Sequence, residues 1–327
     1  MTFEGDVIYN RSTDAYFNLA AEEYLIDRAD PRPVFMLWRN ADAVVIGRNQ
    51  NAYAEINSAY VEREGIKVVR RLTGGGAVFH DEGNVNYTFI VPEKEAKALD
   101  FARFAAPVVD ALRALGADAS LSGRNDVEID GRKVSGNAQC VRSGKIMHHG
   151  TLLWSSDPSR IAAALAVDPE KIAAKGIKSV RGRVANISEL VGSDMSVTAF
   201  IDYLFGFMGT VPRGFTEAET GAISRLRDGK YASWEWNYGE SKTFSARAKR
   251  RFPYGTVEIG YTLDGGVIKE ISILGDFFGV GDISELSRSL CGVRFGKSEL
   301  IRALARVGDY ISGAEPGEIA ALMTGLD

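Results

Sequence analysis

Lys67-Val-Val-Arg70-Arg71-Leu72-Thr73-Gly74-Gly75-Gly76-Ala77-Val78-Phe79-His80-Asp81-Glu82-Gly83-Asn84-Val85-Asn86-Tyr87-Thr88-Phe89-Ile90 is the stretch around which the chain is organised. An apolar run ending in two arginines, three consecutive glycines and two strand-like runs around residues 81–84 predict a strand, a tight glycine turn and a hairpin. Adjacent glycines lose more backbone entropy on folding than any other residues, and a turn alone seldom needs three. Close approach of a ligand to the backbone would account for them. N–H groups without side chains, next to Arg70 and Arg71, form a concavity suited to phosphate or carboxylate.

Outward from this stretch, residues 10–28 open with Ser12, Thr13 and Asp14 and place Phe17, Ala20, Ala21, Tyr24 and Leu25 at helical spacing, an amphipathic helix ended by Pro31 and Pro33. Residues 34–38 and 43–47 read as paired strands, and residues 53–64 as a helix leading to Arg70. Phe101, Phe104, Val108 and Leu112 make a further helical stripe, with Gly116 at the position of a C-terminal cap. Asp130-Gly131 has the chemistry of a two-residue hairpin turn, so Lys133 begins a strand just beyond it. Ser143-Gly144 suggests a second turn, and the returning strand carries His148 and His149, which must point to opposite faces and cannot chelate one metal together. Asp157-Pro158 and Asp168-Pro169 read as helix starts, and Thr216-Glu-Ala-Glu219 as a capping box. Lys171, Lys175, Lys178, Arg181 and Arg183 lie in an acid-free run with Gly176 and Gly182, which predicts a mobile basic loop. A second basic run, Lys242 to Arg251, precedes a hairpin and two helices of a small α+β domain.

Composition limits the function. A length of 327 residues suggests two domains, and 45% hydrophobic with 25% charged residues is ordinary for a soluble globular protein. A net charge of −4 argues against bulk nucleic-acid binding, so any basic role must be local. Cys140 and Cys291 are too few for a disulfide framework, and the start Met1-Thr-Phe-Glu-Gly-Asp6 lacks a basic and apolar leader. No stretch reaches the ~18 apolar residues of a membrane span. The expectation is a cytoplasmic protein with neither nucleic-acid nor membrane partners.

Arg70-Arg71-x-x-Gly74-Gly75-Gly76-Ala77-Val78-Phe79-His80-Asp81-x-Gly83-Asn84 resembles the signature of the lipoate-protein ligase family. Gly131-Arg-Lys133-Val-Ser-Gly136-Asn, His148-His-Gly-Thr-Leu-Leu153 and Ala174-Lys-Gly-Ile-Lys-Ser-Val-Arg181 resemble its other blocks in the same order, over nearly the whole chain. The resemblance implies an α+β fold: a biotin/lipoate ligase-like catalytic domain of mixed and antiparallel sheets flanked by helices over residues 1–240, and a small α+β accessory domain over 250–327. It implies an ATP-dependent enzyme that converts lipoate to lipoyl-AMP, releases pyrophosphate, and passes the lipoyl group to a lysine of lipoyl (E2) domains of 2-oxoacid dehydrogenases or of the glycine cleavage H protein.

By the same resemblance Lys133 is catalytic. Arg71, Gly75, Gly76, Ala77, Val78, Phe79, Lys133, Lys178 and Arg181 bind ATP and the lipoyl-adenylate, and Asp81, Asn84 and Asp126 are candidates to hold Mg²⁺. Two alternatives stand beside this reading. One is a cysteine-dependent octanoyl or lipoyl transferase of the same fold, for which Cys140 is the candidate nucleophile. The other is a non-catalytic acyl-adenylate-binding protein, against which the presence of Lys133 speaks.

Overall fold

The computed structural model describes residues 3–165, 184–239 and 244–325. Its strands are β1 Asp6–Asn10, β2 Val34–Trp38, β3 Ala43–Ile46, β4 Lys67–Arg70, β5 Val78–His80, β6 Asn84–Pro92, β7 Ala119–Ser122, β8 Asp126–Ile129, β9 Arg132–Arg142, β10 Lys145–Leu153, β11 Ala246–Phe252, β12 Gly255–Asp264 and β13 Val267–Gly275. The longer helices are α1 Ala15–Asp27, α2 Phe101–Ala114, α3 Val197–Phe207, α4 Glu217–Leu226, α5 Ile283–Leu290 and α6 Pro316–Thr324. The fold is α+β. Its contacts divide it into two compact units, one of Met1–Ile46, Tyr53–Arg70 and Ala77–Asn237, the other of Gly47–Ala52, Arg71–Gly76 and Tyr238–Asp327.

In the first unit a seven-stranded sheet runs β1-β2-β6-β10-β9-β8-β7, antiparallel except for β1 beside β2. A smaller sheet runs β4-β3-β5. Strands β6, β9 and β10 are long enough to bury one face against α2 and α3, where Phe35, Tyr87, Phe89, Phe104, Leu112, Ile146, Trp154 and Phe200 form the core. Helix α2 begins at the Asp100 cap and ends where Gly116 turns left-handed at φ 90°, as its sequence predicts. Helix α4 carries the predicted capping box between Thr216 and Glu219.

Two expected pairings are corrected. Strands β2 and β3 do not pair with each other: β2 joins the large sheet and β3 the small one. The linker is pinned instead. Ala41 N donates to Thr13 O at 2.9 Å, and the Asn18 amide donates to Asn40 Oδ1 at 2.8 Å and to Arg39 O at 2.7 Å, so the chain is held at the start of α1 as it changes sheets. Nor do β5 and β6 form a hairpin, although the turn between them exists, with Asn84 N donating to Asp81 O at 3.1 Å. Trp154 N and Ser155 N both donate to Gly83 O at 3.1 Å, which ties the turn to the end of β10 and leaves β5 free to pair with β3. The helix expected over 53–64 is two short ones, 52–55 and 58–63, the second restarted by the Asn57 cap.

In the second unit β11-β12-β13 form an antiparallel sheet with α5 and α6. Its core gathers Val257, Ile259, Ile271, Ile273, Phe277, Leu286, Leu290 and Ile319. Among the described residues no helix is long and apolar enough to cross a membrane.

Candidate active site

Lys133 is placed by a turn and a bulge. Asp130 at φ 51° and Gly131 at φ 72° close the β8–β9 hairpin, the left-handed pair that a two-residue turn requires. Pairing then runs Ile129 with Arg132 and Glu128 with Lys133, but Val127 with Ser135, so Val134 is an extra residue. In a regular strand, positions three apart face opposite sides. The bulge brings Lys133 onto the side of Gly136, where a Cβ on that glycine would lie 3.2 Å from Lys133 Nζ and 3.9 Å from Asp126 Oδ1. Asp126, in register with Gly136, holds the ammonium at 2.7 Å. The pair stays reachable from solvent, with side chains 32% and 24% exposed.

The core side of the same strand is locked by a polar network that the sequence did not disclose. Asn137 Oδ1 accepts from the Tyr87 hydroxyl and from His148 Nε2, the latter at 3.1 Å, and Gln139 Nε2 donates to His148 Nδ1 at 2.9 Å. His148 stacks on Phe104 with centroids 5.2 Å apart. Complete burial, with His149 adjacent, holds its basicity well below the usual histidine value, so it is a neutral strut. Asn125 and Asn137 exchange side-chain and main-chain bonds at 2.8–3.0 Å, which fixes the loop before Asp126. The signal was the mixed Asn, Gln and His content of two paired strands. On the opposite face, as the alternation predicted, His149 Nδ1 donates to the buried Glu22 carboxylate at 2.9 Å. Thr88 Oγ1 donates to Glu22 Oε1 at 2.6 Å, and Trp38 Nε1 donates to Thr88 at 2.9 Å. That face, lying along β2, β6, β10 and β9, also carries Gly136.

The glycine motif is divided between the units. Arg70, fully buried in the first, donates to Trp236 O at 3.0 Å and to Asn237 O at 2.9 Å, so it is a structural tie and does not flank an open concavity. In the second, Arg71 donates to Thr73 Oγ1 at 2.9 Å, Gly74 O at 2.6 Å and Gly76 O at 2.9 Å, and so organises the loop's carbonyls. Gly75 N donates to Phe277 O at 3.3 Å. A Cβ on Gly74 would strike that same carbonyl. One on Gly75, at φ 91°, would come within 2.9–3.0 Å of the Phe278 ring and of Arg71 Nη2. Two of the three glycines therefore answer to protein packing, and only Gly76 faces open space. Ala77, Val78 and Phe79 follow in the first unit, with Val78 paired to Val45 and Phe79 buried beneath the Arg160 guanidinium.

Of the metal candidates, Asp81 spends both oxygens on main-chain N–H groups, from Gly83 at 3.0 Å and Asp157 at 2.8 Å. Asn84 is buried and donates to Asn86 Oδ1 at 3.0 Å. Only Asp126 borders Lys133. Lys178 and Arg181, with the basic run around them and the Asp168-Pro169 helix start, lie outside the described residues. Cys140 is half-buried, and its thiol is pushed up to about 12 by burial and by the charge of Glu22. A thiol of that kind stays protonated and is a poor nucleophile.

Residues 14–208 match the lipoyl protein ligase A/B catalytic domain, and residues 241–323 the bacterial lipoate protein ligase C-terminus. The chain is 42% identical to lipoate-protein ligase LplJ of Bacillus subtilis (strain 168), over 90% of this chain and 91% of that one. Among solved structures it resembles one described as a bi-partite lipoate protein ligase and its E2 lipoyl domain from Thermoplasma acidophilum, with a TM-score of 0.65, 30% identity and coverage of 75% of this chain and 100% of that one. It also resembles a lipoate-protein ligase A bound with ATP, with a TM-score of 0.61, 28% identity and coverage of 72% and 99%. Matched along its length and at both of its units, the chain belongs to the lipoate-protein ligase family.

Proposed function

We propose that the protein activates lipoate with ATP and transfers the lipoyl group to a lysine of lipoyl (E2) domains and of the glycine cleavage H protein. In the first half-reaction a carboxylate oxygen of lipoate attacks the α-phosphorus and pyrophosphate leaves. In the second, the acceptor's amine attacks the acyl carbon and AMP leaves. Neither step needs an enzyme nucleophile. The first builds negative charge on the α-phosphate oxygens and the departing pyrophosphate, the second on the acyl oxygen and then on the phosphate oxygen that leaves with AMP, so a pre-placed cation between the acyl group and the α-phosphate serves both.

The observation that carries this reading is Lys133, set by a bulge beside Gly136 and steered by Asp126 at 2.7 Å. A compact ammonium can reach an acyl oxygen and a phosphate oxygen at once. Gly136, without a side chain, leaves the room in front of it that the reacting atoms need. Mg²⁺, when bound, would shield phosphate charge. Asp126 fits it best, being an accessible hard oxygen donor, whereas the oxygens of Asp81 are already committed. The face carrying Trp38, Thr88 and His149 shares the side of Lys133, its polar atoms tied to Glu22 of α1. We assign residues 1–240 as the catalytic domain and 250–327 as the accessory domain. Arg71, Gly75, Gly76, Ala77, Val78 and Phe79 form the adenylate loop, and Lys178 and Arg181 its basic cover. The cytoplasm, which holds ATP and the acceptors, is the proposed location.

The test is to mix the protein with ATP, Mg²⁺, lipoate and an apo lipoyl domain and weigh the products. Acceptor mass should rise by one lipoyl group only when ATP is present. A gain without ATP, from an acylated carrier, would replace the ligase with the transferase.

A further inference from the structure

Among the described residues, the β13 edge of the second unit's small sheet is incomplete. Along β13, alternate residues turn their main-chain N–H and C=O away from β12. At one end Gly275 N donates to Asn49 O at 2.8 Å. At the other, Ile268 N donates to Val293 O at 2.9 Å and Ile268 O accepts from Gly292 N at 2.8 Å. Counting back from Gly275, the N–H and C=O of Ile273 and Ile271 point outward, the register shift at Lys269 bringing Ile268 onto the same side, and among the described residues no hydrogen bond outside the β12 ladder reaches Ile271 or Ile273. Their side chains are buried in the core, so the main chain alone is presented.

A cavity of about 250 Å³ lies along this gap, between residues 270–274 and the polar face of α5. Leu286 and Leu290 turn into the core, while Ser284, Ser287 and Arg288 line the opening, with Arg48 and Asn49 closing one end. The charges on its walls balance, with Arg48 and Arg288 against Glu270 and Asp282. A phosphate would find no excess positive charge there. The edge of a second copy's sheet would bring its own α5 against this one.

We propose that this slot receives an extended, uncharged segment of the protein acceptor, which adds to β13 as a further strand by pairing with Ile271 and Ile273. At ~3.3 Å per residue the gap over 269–274 is about 20 Å long, room for a strand of roughly six residues. Strand addition draws its affinity from main-chain hydrogen bonds and reads few side chains. That suits an enzyme whose second substrate is a folded protein and whose acceptors differ in sequence. The proposal rests on the ligase reading and extends it to the acceptor's docking surface.

Amide exchange of the full chain, with and without an apo lipoyl domain, tests it together with Ser287→Trp and Ser284→Trp, which fill the slot from the solvent face of α5. The Ile271 and Ile273 amides should slow when the acceptor is added. Each variant should raise KM for the acceptor about tenfold, the loss of ~1.4 kcal/mol, while lipoate-dependent ATP–pyrophosphate exchange and melting temperature stay as in the wild type. Unchanged amide exchange with unchanged KM would overturn the slot. So would protection of these amides that rises with enzyme concentration in the absence of acceptor, which would mark self-association. Loss of ATP–pyrophosphate exchange in the wild-type protein would instead sink the ligase reading on which the proposal stands.

Discussion

Lys133 owes its orientation to Val134. Without the extra residue, the ammonium would leave the face of Gly136 and lose Asp126. Lys133→Ala removes the cation that Asp126 holds beside Gly136, at a partly exposed site that contributes little packing. Adenylate formation, read as lipoate-dependent ATP–pyrophosphate exchange, should fall about 10²–10³-fold with the melting temperature unchanged. Near wild-type exchange would remove Lys133 from the mechanism. Asp126→Asn should lower kcat more than it changes KM for lipoate and should raise the Mg²⁺ concentration needed for half-maximal exchange; an unaltered Mg²⁺ dependence would strike Asp126 from the metal site. Cys140, its thiol pushed up to about 12, offers no thiolate near neutrality, so Cys140→Ser should keep transfer within about twofold of wild type. An acyl-enzyme thioester trapped on Cys140 would contradict this.

At the scale of elements, two structures hold the site residues. One is the β9–β10 ladder with its neutral His148 strut. The unfolded chain protonates this histidine near pH 6.5, while the folded chain resists protonation well below that, so the stability it contributes is complete above pH 6.5 and drains away as pH falls. The loss should approach ~1.4 kcal/mol per pH unit for this one group. Urea midpoints measured between pH 7.5 and 5.5 should therefore decline in the wild type and be flatter in His148→Gln; parallel declines would show that other groups dominate. The other structure is the glycine loop, closed by Arg71 and seated on residues 277–278. Gly75→Val would force a branched side chain into φ 91° and against Phe278. It should cost ~1–3 kcal/mol of local strain and raise the apparent KM for ATP, measured by pyrophosphate exchange. Unaltered kinetics would mean that the loop does not meet the nucleotide.

At the scale of the molecule, the large hydrophobic cluster of each unit, among the described residues, shares no member with the other. One draws its buried members from Val7 to Met208, the other from Phe252 to Met323. A chain ending at residue 239 should therefore unfold cooperatively on its own. It would lack Phe277, Phe278 and Gly275, which anchor residues 71–76 and 47–52 in the second unit. Adenylation should then suffer more than transfer from supplied lipoyl-AMP, since only the first half-reaction has to gather ATP on the glycine loop. Equal losses in both half-reactions, measured with the truncated chain, would count against that division.

The sequence by itself determined the local structure, because turns, caps and strand alternation act over a few residues. Asp130-Gly131, Ser143-Gly144, the Thr216 capping box and the opposite faces of His148 and His149 all stand where their chemistry put them. The ordered motifs also determined the family. What only the tertiary structure decided is which partners these segments meet. The strands flanking 39–42 and 81–84 look like hairpins until buried contacts with α1 and with residues 154–157 divert them into separate sheets. Arg70 and Arg71 are identical neighbours in the sequence, yet one is buried as a tie to 236–237 and the other closes the glycine loop. The triple glycine advertised a ligand, but two of its members were fixed by the approach of Phe277 and Phe278, some 200 residues away along the chain. Burial and main-chain pairing between distant segments leave no local trace in the sequence, so those assignments came only with the fold.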